Sequence, residues 1–122
     1  MDYLDKIFAS KRKDVEAGKK IISIDDFIDK ISQQEPRTNN FFNTLITSDN
    51  QYQIIAETKK GSPSAGIIKN DYDPISIAQS YESGGYTNIS VLTEESYFFG
   101  QKDDLSRIAK HTELSKIGRA HV

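Results

Sequence analysis

The sequence contains no cysteine, which excludes a disulfide framework and a thiolate metal site. It has no surplus of one charge either. Its 16 Lys and Arg face 18 Asp and Glu, for a net charge of −2, whereas a binder of nucleic acid carries a clustered basic excess. Long hydrophobic runs are also missing. The longest apolar clusters hold two or three residues, far short of the ~20 needed to span a bilayer. The opening Met1–Phe8 lacks the apolar stretch of a secretion signal. Apolar content, with glycine counted in place of tyrosine, is about 37%, against roughly 45–50% in ordinary domains. The 122 residues suit one domain, but the apolar share is thin for a self-sufficient core. These absences leave a soluble cytoplasmic protein, or a piece of one, with no membrane and no nucleic-acid partner.

What is present reads first as helix. Leu4, Ile7, Phe8 and Val15 fall near one face of a 3.6-residue period, and Gly18 is the expected stop. Ile24, Phe27, Ile28 and Ile31 mark a second helix at i, i+3, i+4 and i+7. Ser23 stands at its N-cap, and Asp25 and Asp26 in its first turn meet the positive end of the helix dipole. Gln33–Asn40, with Pro36, reads as a linker. Phe41, Phe42, Leu45 and Ile46 suggest a third short helix capped by Asn39 or Asn40.

At Tyr52 the period changes. Tyr52–Lys59 reads as a buried parallel strand, because its centre is doubly apolar. A Gly/Ser/Pro-rich loop follows over Lys60–Asp73. Asp73-Pro74 opens a helix, since aspartate caps and proline is tolerated at the first helical position. That helix carries Ile77, Ala78 and Tyr81 and ends at Gly84-Gly85. A second strand is expected over Thr87–Thr93, then a loop, then a helix carrying Leu105, Ile108 and Ala109. Strands separated by helices imply parallel pairing and the α/β class, as a barrel or an open sheet. Two strands complete neither, and their exposed edges predict poor solubility or a molten state. Lys116–Val122 shows no periodicity, and the codons that could encode it resemble a common sequencing-adapter read. Residues from Ser115 are therefore expected to be a non-native tail, with a natural polar tail as the alternative.

Three places offer chemistry. Glu57 and Lys59, at i and i+2, share a strand face at its C-terminal end, where parallel α/β enzymes carry catalytic groups. Each stabilises the other's charge and together they offer a base and an acid. A structural ion pair on the strand rim fits the spacing equally well. Lys60–Gly66 has two hydroxyls, two glycines and free amides suited to an anion, though it lacks the ending of a P-loop and an ordinary turn-rich linker explains it too. Leu92–Glu95 ends the second strand, and Tyr97-Phe98-Phe99 follows on a loop that can stack on an aromatic substrate or simply cover the sheet's end. Glu94 and Glu95 read equally well as solvated. His111 and His121 have no partner at metal spacing, so no metal is assigned.

The combination and order of these segments are more specific than any one alone. I-I-A-E-T-K-K-G-S-P-S-A-G, D-Y-D-P-I-S-I-A-Q-S-Y-E-S-G-G and N-I-S-V-L-T-E-E-S-Y-F-F-G resemble the indole-3-glycerol phosphate synthase family. The opening D-Y-L-D-K-I-F-A-S-K-R-K-D-V resembles its N-terminal helical extension. The resemblance implies the N-terminal part of a (β/α)8 TIM barrel: an extension over residues 1–50, the first two βα units over 51–114, and a tail over 115–122. A complete barrel takes about 250 residues, so roughly half would be absent.

The implied reaction closes the indole ring of 1-(2-carboxyphenylamino)-1-deoxyribulose 5-phosphate, releasing carbon dioxide and water, without cofactor or metal. By the resemblance, Glu57 is the first-strand catalytic glutamate and Lys59 the lysine that meets the substrate carboxylate and donates a proton. Ser62, Pro63 and Ser64 belong to a loop closing over the site, and Leu92 and Phe98 line the pocket for the anthranilate ring. The family's general-acid lysine on strand three, its second glutamate, an asparagine and its phosphate site lie beyond this sequence, so the fragment alone is expected to be inactive. Association or fusion with other enzymes of tryptophan biosynthesis is compatible with the resemblance. The competing readings are another phosphate-handling (β/α)8 enzyme, such as a related pathway isomerase, and a non-catalytic module that docks through its helices.

Overall fold

A computed structural model describes residues 2–35 and 40–119. The part of the expected linker at 36–39, the alternative cap Asn39, and His121 in the tail lie outside the described residues. Those residues fall into two compact units, 2–35 and 40–119.

The first unit contains α1 (Tyr3–Ile21) and α2 (Ile24–Ser32). α1 runs through Gly18 instead of stopping there. A glycine ends a helix when its backbone turns left-handed, and Gly18 is not among the positive-φ glycines. The Gly18 carbonyl instead accepts from Ile22 N at 3.0 Å, in the helical pattern. Ion pairs one turn apart, Lys11–Asp14 at 2.6 Å and Lys19–Glu16 at 2.9 Å, line the outer surface. α2 starts where its cap predicts: the Ser23 hydroxyl accepts from Asp26 N at 3.1 Å. Its apolar stripe of Ile24, Phe27, Ile28 and Ile31 is exposed.

The second unit begins with α3 (Phe41–Ile46), capped by the Asn40 side chain, which accepts from Phe42 N at 2.9 Å. The sequence reading placed the boundary after residue 50, yet α3 packs with the sheet. Asn88 Nδ2 donates to the Phe41 carbonyl at 3.1 Å, and the Thr44 and Ser115 hydroxyls lie 2.6 Å apart. The chain then forms β1 (Ile55–Thr58), a hairpin of β2 (Gly61–Ser62) and β3 (Gly66–Ile67), α4 (Pro74–Ser83), β4 (Asn88–Leu92), α5 (Asp104–His111) and β5 (Ser115–Arg119).

β1, β4 and β5 make one parallel sheet in the order β1-β4-β5. A third strand thus stands where two were expected, within the segment expected to be a tail. β5 pairs along its whole length with β4, Ser115 opposite Asn88 and Arg119 opposite Leu92. Backbone bonds flank the ladder at both ends, Ser115 N to the Thr87 carbonyl and Thr93 N to the Arg119 carbonyl, each 2.9 Å. Side-chain periodicity did not announce this strand because its pairing is carried by the backbone: Ile117, Gly118 and Arg119 are exposed.

The core lies on one face of the sheet. Ile89 and Val91 of β4 pack with Ala78 of α4, Ile108 of α5 and Leu114, and Tyr81 and Leu105 flank them. Each fully buried Ile, Val or Leu among them contributes about 1.5–3 kcal/mol by leaving water. α4 starts as predicted, with the Asp73 carboxylate accepting from Ile75 N at 3.1 Å ahead of Pro74. It ends at Gly84, followed by Gly85 at φ +88°, a conformation glycine adopts without strain.

Candidate functional site

Strand register decides which way the candidate side chains point. Ala56 pairs with Ile89 and Thr58 with Val91, so those β1 residues face the helices together with the core. Neighbours along a strand alternate. Glu57, opposite Ser90, therefore faces the other side, the one α4 and α5 do not cover, and Lys59 follows on the same side. Ser90 and Leu92 also turn that way.

On that face Glu57 sits between two cations. Its Oε1 lies 2.8 Å from Lys59 Nζ, and both side chains are 32% exposed. Its Oε2 accepts from Arg119 Nη1 at 2.9 Å, across the width of the sheet. The Glu57 main-chain carbonyl is fixed separately by the Tyr81 hydroxyl at 2.8 Å, so helix α4 anchors the backbone while leaving the carboxylate to the open face. The buried Ser90 hydroxyl has no hydrogen-bond partner among the described residues. Arg119 escaped the sequence reading because it lies in the segment set aside as tail, and only the register of β5 brings it to Glu57.

The loop after β1 is a built turn. Ile68 N and Lys69 N both donate to the Lys60 carbonyl, at 2.8 and 3.2 Å, closing the base of the β2–β3 hairpin. Ser62 Oγ accepts from Ala65 N at 3.2 Å and lies 3.4 Å from Ser64 Oγ. Gly61 is required here: a Cβ would come 2.4 Å from the Gly66 carbonyl oxygen and 2.6 Å from the Phe99 ring. The hairpin therefore sits directly beneath the aromatic loop.

That loop corrects one expectation. Glu94 is not solvated but buried, at 1% exposure. Its carboxylate accepts from three consecutive loop amides, Ser96 N at 3.0 Å, Tyr97 N at 2.6 Å and Phe98 N at 3.0 Å. No local signal announces this, since the short side chains that commonly bond amides a few residues on are Asp, Asn, Ser and Thr. Glu95 is exposed, Leu92 fully buried and Phe98 half-buried. On the helix side, Asp104 is also buried; burial pushes its carboxyl above the usual range, against the pull of the Gln101 amide and the Arg107 guanidinium. Burial likewise raises the Tyr72 phenol, with the Thr58 hydroxyl working the other way. His111 is exposed, with Nδ1 2.7 Å from the Arg107 carbonyl. No described helix is long and apolar enough to cross a membrane.

A parallel sheet with α4 and α5 packed on one face, and with an acid and two cations toward the carboxyl ends of its strands on the other, defines a parallel α/β protein. Comparison narrows the class. The model of the indole-3-glycerol phosphate synthase family matches residues 4–119. Indole-3-glycerol phosphate synthase of Sulfurimonas denitrificans is 38% identical over 112 residues, which is 91% of this chain and 43% of that protein. The same enzyme from Prochlorococcus marinus is 38% identical and that of Crocosphaera subtropica 35%, each over 111 residues that make up 91% of this chain and 37% of theirs. The chain belongs to the indole-3-glycerol phosphate synthase family, and it spans about two-fifths of the length of these relatives.

Proposed function

We propose that this chain is the N-terminal part of an indole-3-glycerol phosphate synthase. Its parent closes the indole ring of 1-(2-carboxyphenylamino)-1-deoxyribulose 5-phosphate, with loss of carbon dioxide and water, in tryptophan biosynthesis. The observation that carries the reading is the Glu57–Lys59 pair, 2.8 Å apart at the carboxyl end of β1, on the face that α4 and α5 leave uncovered. In this reading the Lys59 ammonium meets the anthranilate carboxylate as a charge-assisted partner. It also supplies a proton as the sugar oxygen leaves as water, and Glu57 takes up the proton that the neighbouring carbon gives up in that elimination. Leu92 and Phe98 line the ring pocket. Ser62 and Ser64 ride on the hairpin that closes over it, and exclusion of water there strengthens both charged contacts.

Arg119 ends the third strand on the same face, where the resemblance expects the family's general-acid lysine. A guanidinium presents a planar fork of donors suited to an anion, so Arg119 binds and orients an anion and differs from the lysine expected there. This supports two linked proposals: that residues from Ser115 depart from the parent's own sequence, and that the 122-residue chain has no turnover by itself. Reading the parent gene downstream of Leu114 tests the first, the expected result being a short apolar strand, a lysine and then Asp-Phe.

The catalytic proposal is tested in the complete parent by Glu57→Gln and Lys59→Met, following product by indole fluorescence. Each is expected to lose about 10²–10⁴-fold in kcat with the circular dichroism spectrum unchanged. Turnover at the unmodified rate in either variant would overturn the assignment.

A further inference from the structure

We propose that Glu94 is a positioning residue for this site: its buried carboxylate presets the 95–100 loop, and through it the placement of Phe98 and the seating of Phe99 against the β2–β3 hairpin. The inference rests on the lyase reading only for what the loop serves.

Both carboxylate oxygens and the main-chain carbonyl of Glu94 are committed to one loop. Oε1 accepts from Ser96 N, Oε2 from Tyr97 N and Phe98 N, and the carbonyl from Gly100 N at 2.8 Å. Four of the five amides from Ser96 to Gly100 thus converge on one residue. A carboxylate taken out of water is costly unless its lone pairs are filled, and charge-assisted bonds from oriented amides fill them. The same bonds define the loop. Phe99 adopts φ +58°, a left-handed conformation that a bulky aromatic residue rarely takes and that must be held by its surroundings. It is held on one side by the amides bonded to Glu94. On the other side stands Gly100, where a Cβ would lie 2.2 Å from the Leu92 carbonyl oxygen.

The result is mechanical continuity. Leu92 ends β4, Glu94 folds the following residues back onto themselves, and Phe99 lies within van der Waals reach of Gly61 at the root of the serine hairpin. One carboxylate therefore sets the relation between the strand end, the aromatic wall and the loop that closes over them. Because its oxygens are taken up by the loop's own amides, Glu94 positions groups and does not itself meet substrate.

The test uses the parent enzyme. Glu94→Gln keeps the side chain's size but offers one acceptor oxygen and turns an NH₂ toward amide donors. It is expected to lower hydrogen-exchange protection at Ser96, Tyr97 and Phe98 by about tenfold or more. KM should rise about tenfold while kcat stays within about threefold, the pattern of lost uniform binding. Glu94→Asp retains the charge and is expected to recover part of both. Gly61→Ala crowds both the Phe99 ring and the Gly66 carbonyl of the hairpin without touching Glu94, and is expected to raise KM in the same direction. Unchanged exchange at the three amides in Glu94→Gln would overturn the proposal, as would kcat falling in step with KM at full folded content. Should the unmodified parent make no indole product, the lyase reading fails, and the exchange comparison still decides whether Glu94 builds the loop.

Discussion

Replacing Gly100 with alanine should destabilise the protein, although alanine is ordinarily the better residue for a folded chain. The structure gives the reason. A Cβ at this position would stand 2.2 Å from the Leu92 carbonyl oxygen and 3.0 Å from its carbon. Both are backbone atoms of a strand end that cannot turn aside as a side chain could. The loop or the strand must give by about 1 Å, and overpacking of this kind costs about 1–3 kcal/mol. The movement also stretches the 2.8 Å bond from Gly100 N to the Glu94 carbonyl, worth about 1 kcal/mol. Restricting the unfolded chain returns about 0.4–1 kcal/mol. The net expectation is a loss of about 2 kcal/mol, which at an m-value of about 2 kcal/mol per molar urea lowers the unfolding midpoint by about 1 M. Gly18→Ala is the matched control: nothing lies within 4 Å of its Cβ position and it sits inside α1. That substitution should raise helix stability by up to about 1 kcal/mol. Urea titration of both variants of the complete parent, followed by circular dichroism, measures the two shifts. A midpoint for Gly100→Ala at or above that of the unmodified protein would refute the reasoning.

Other expectations follow from burial. Ile108 is fully buried between α5 and the sheet, so Ile108→Ala should cost about 2–5 kcal/mol by lost transfer energy and the cavity left behind, measurable by the same titration. Tyr72 holds its proton more tightly folded than unfolded, because burial disfavours the phenolate. Its contribution is therefore intact below the ordinary phenol value of about 10 and is lost as the pH climbs through the raised folded value. Tyr72→Phe should remove that alkaline loss. Near neutrality it should change stability by about 1 kcal/mol or less, since at most one neutral hydrogen bond, that with the Thr58 hydroxyl, is at stake. Thermal melts at several pH values above 9 would detect a failure of either expectation.

Much of this architecture is written in short stretches of the chain. Ser23 and Asp73-Pro74 start helices because a cap acts on amides two or three residues away. Gly84-Gly85 closes α4 locally, and the alternation of Ala56-Glu57-Thr58 already separates a core face from a reactive one. The run from Glu57 to Ser64 points to the family together with the Asp71–Gly85 and Asn88–Gly100 segments that follow it. Other outcomes needed the assembled sheet. Gly18 remains helical because nothing turns its backbone left-handed. Ser115–Arg119 becomes a strand through backbone pairing with β4, which no side-chain pattern encodes. Arg119 reaches Glu57 only because residues 62 positions apart end on the two outer strands of one sheet, and Glu94 is buried only once the loop packs. Caps and turns are energies of adjacent residues and can be read along the chain. Burial and ion pairing are energies of remote ones, and the tertiary fold alone decides them.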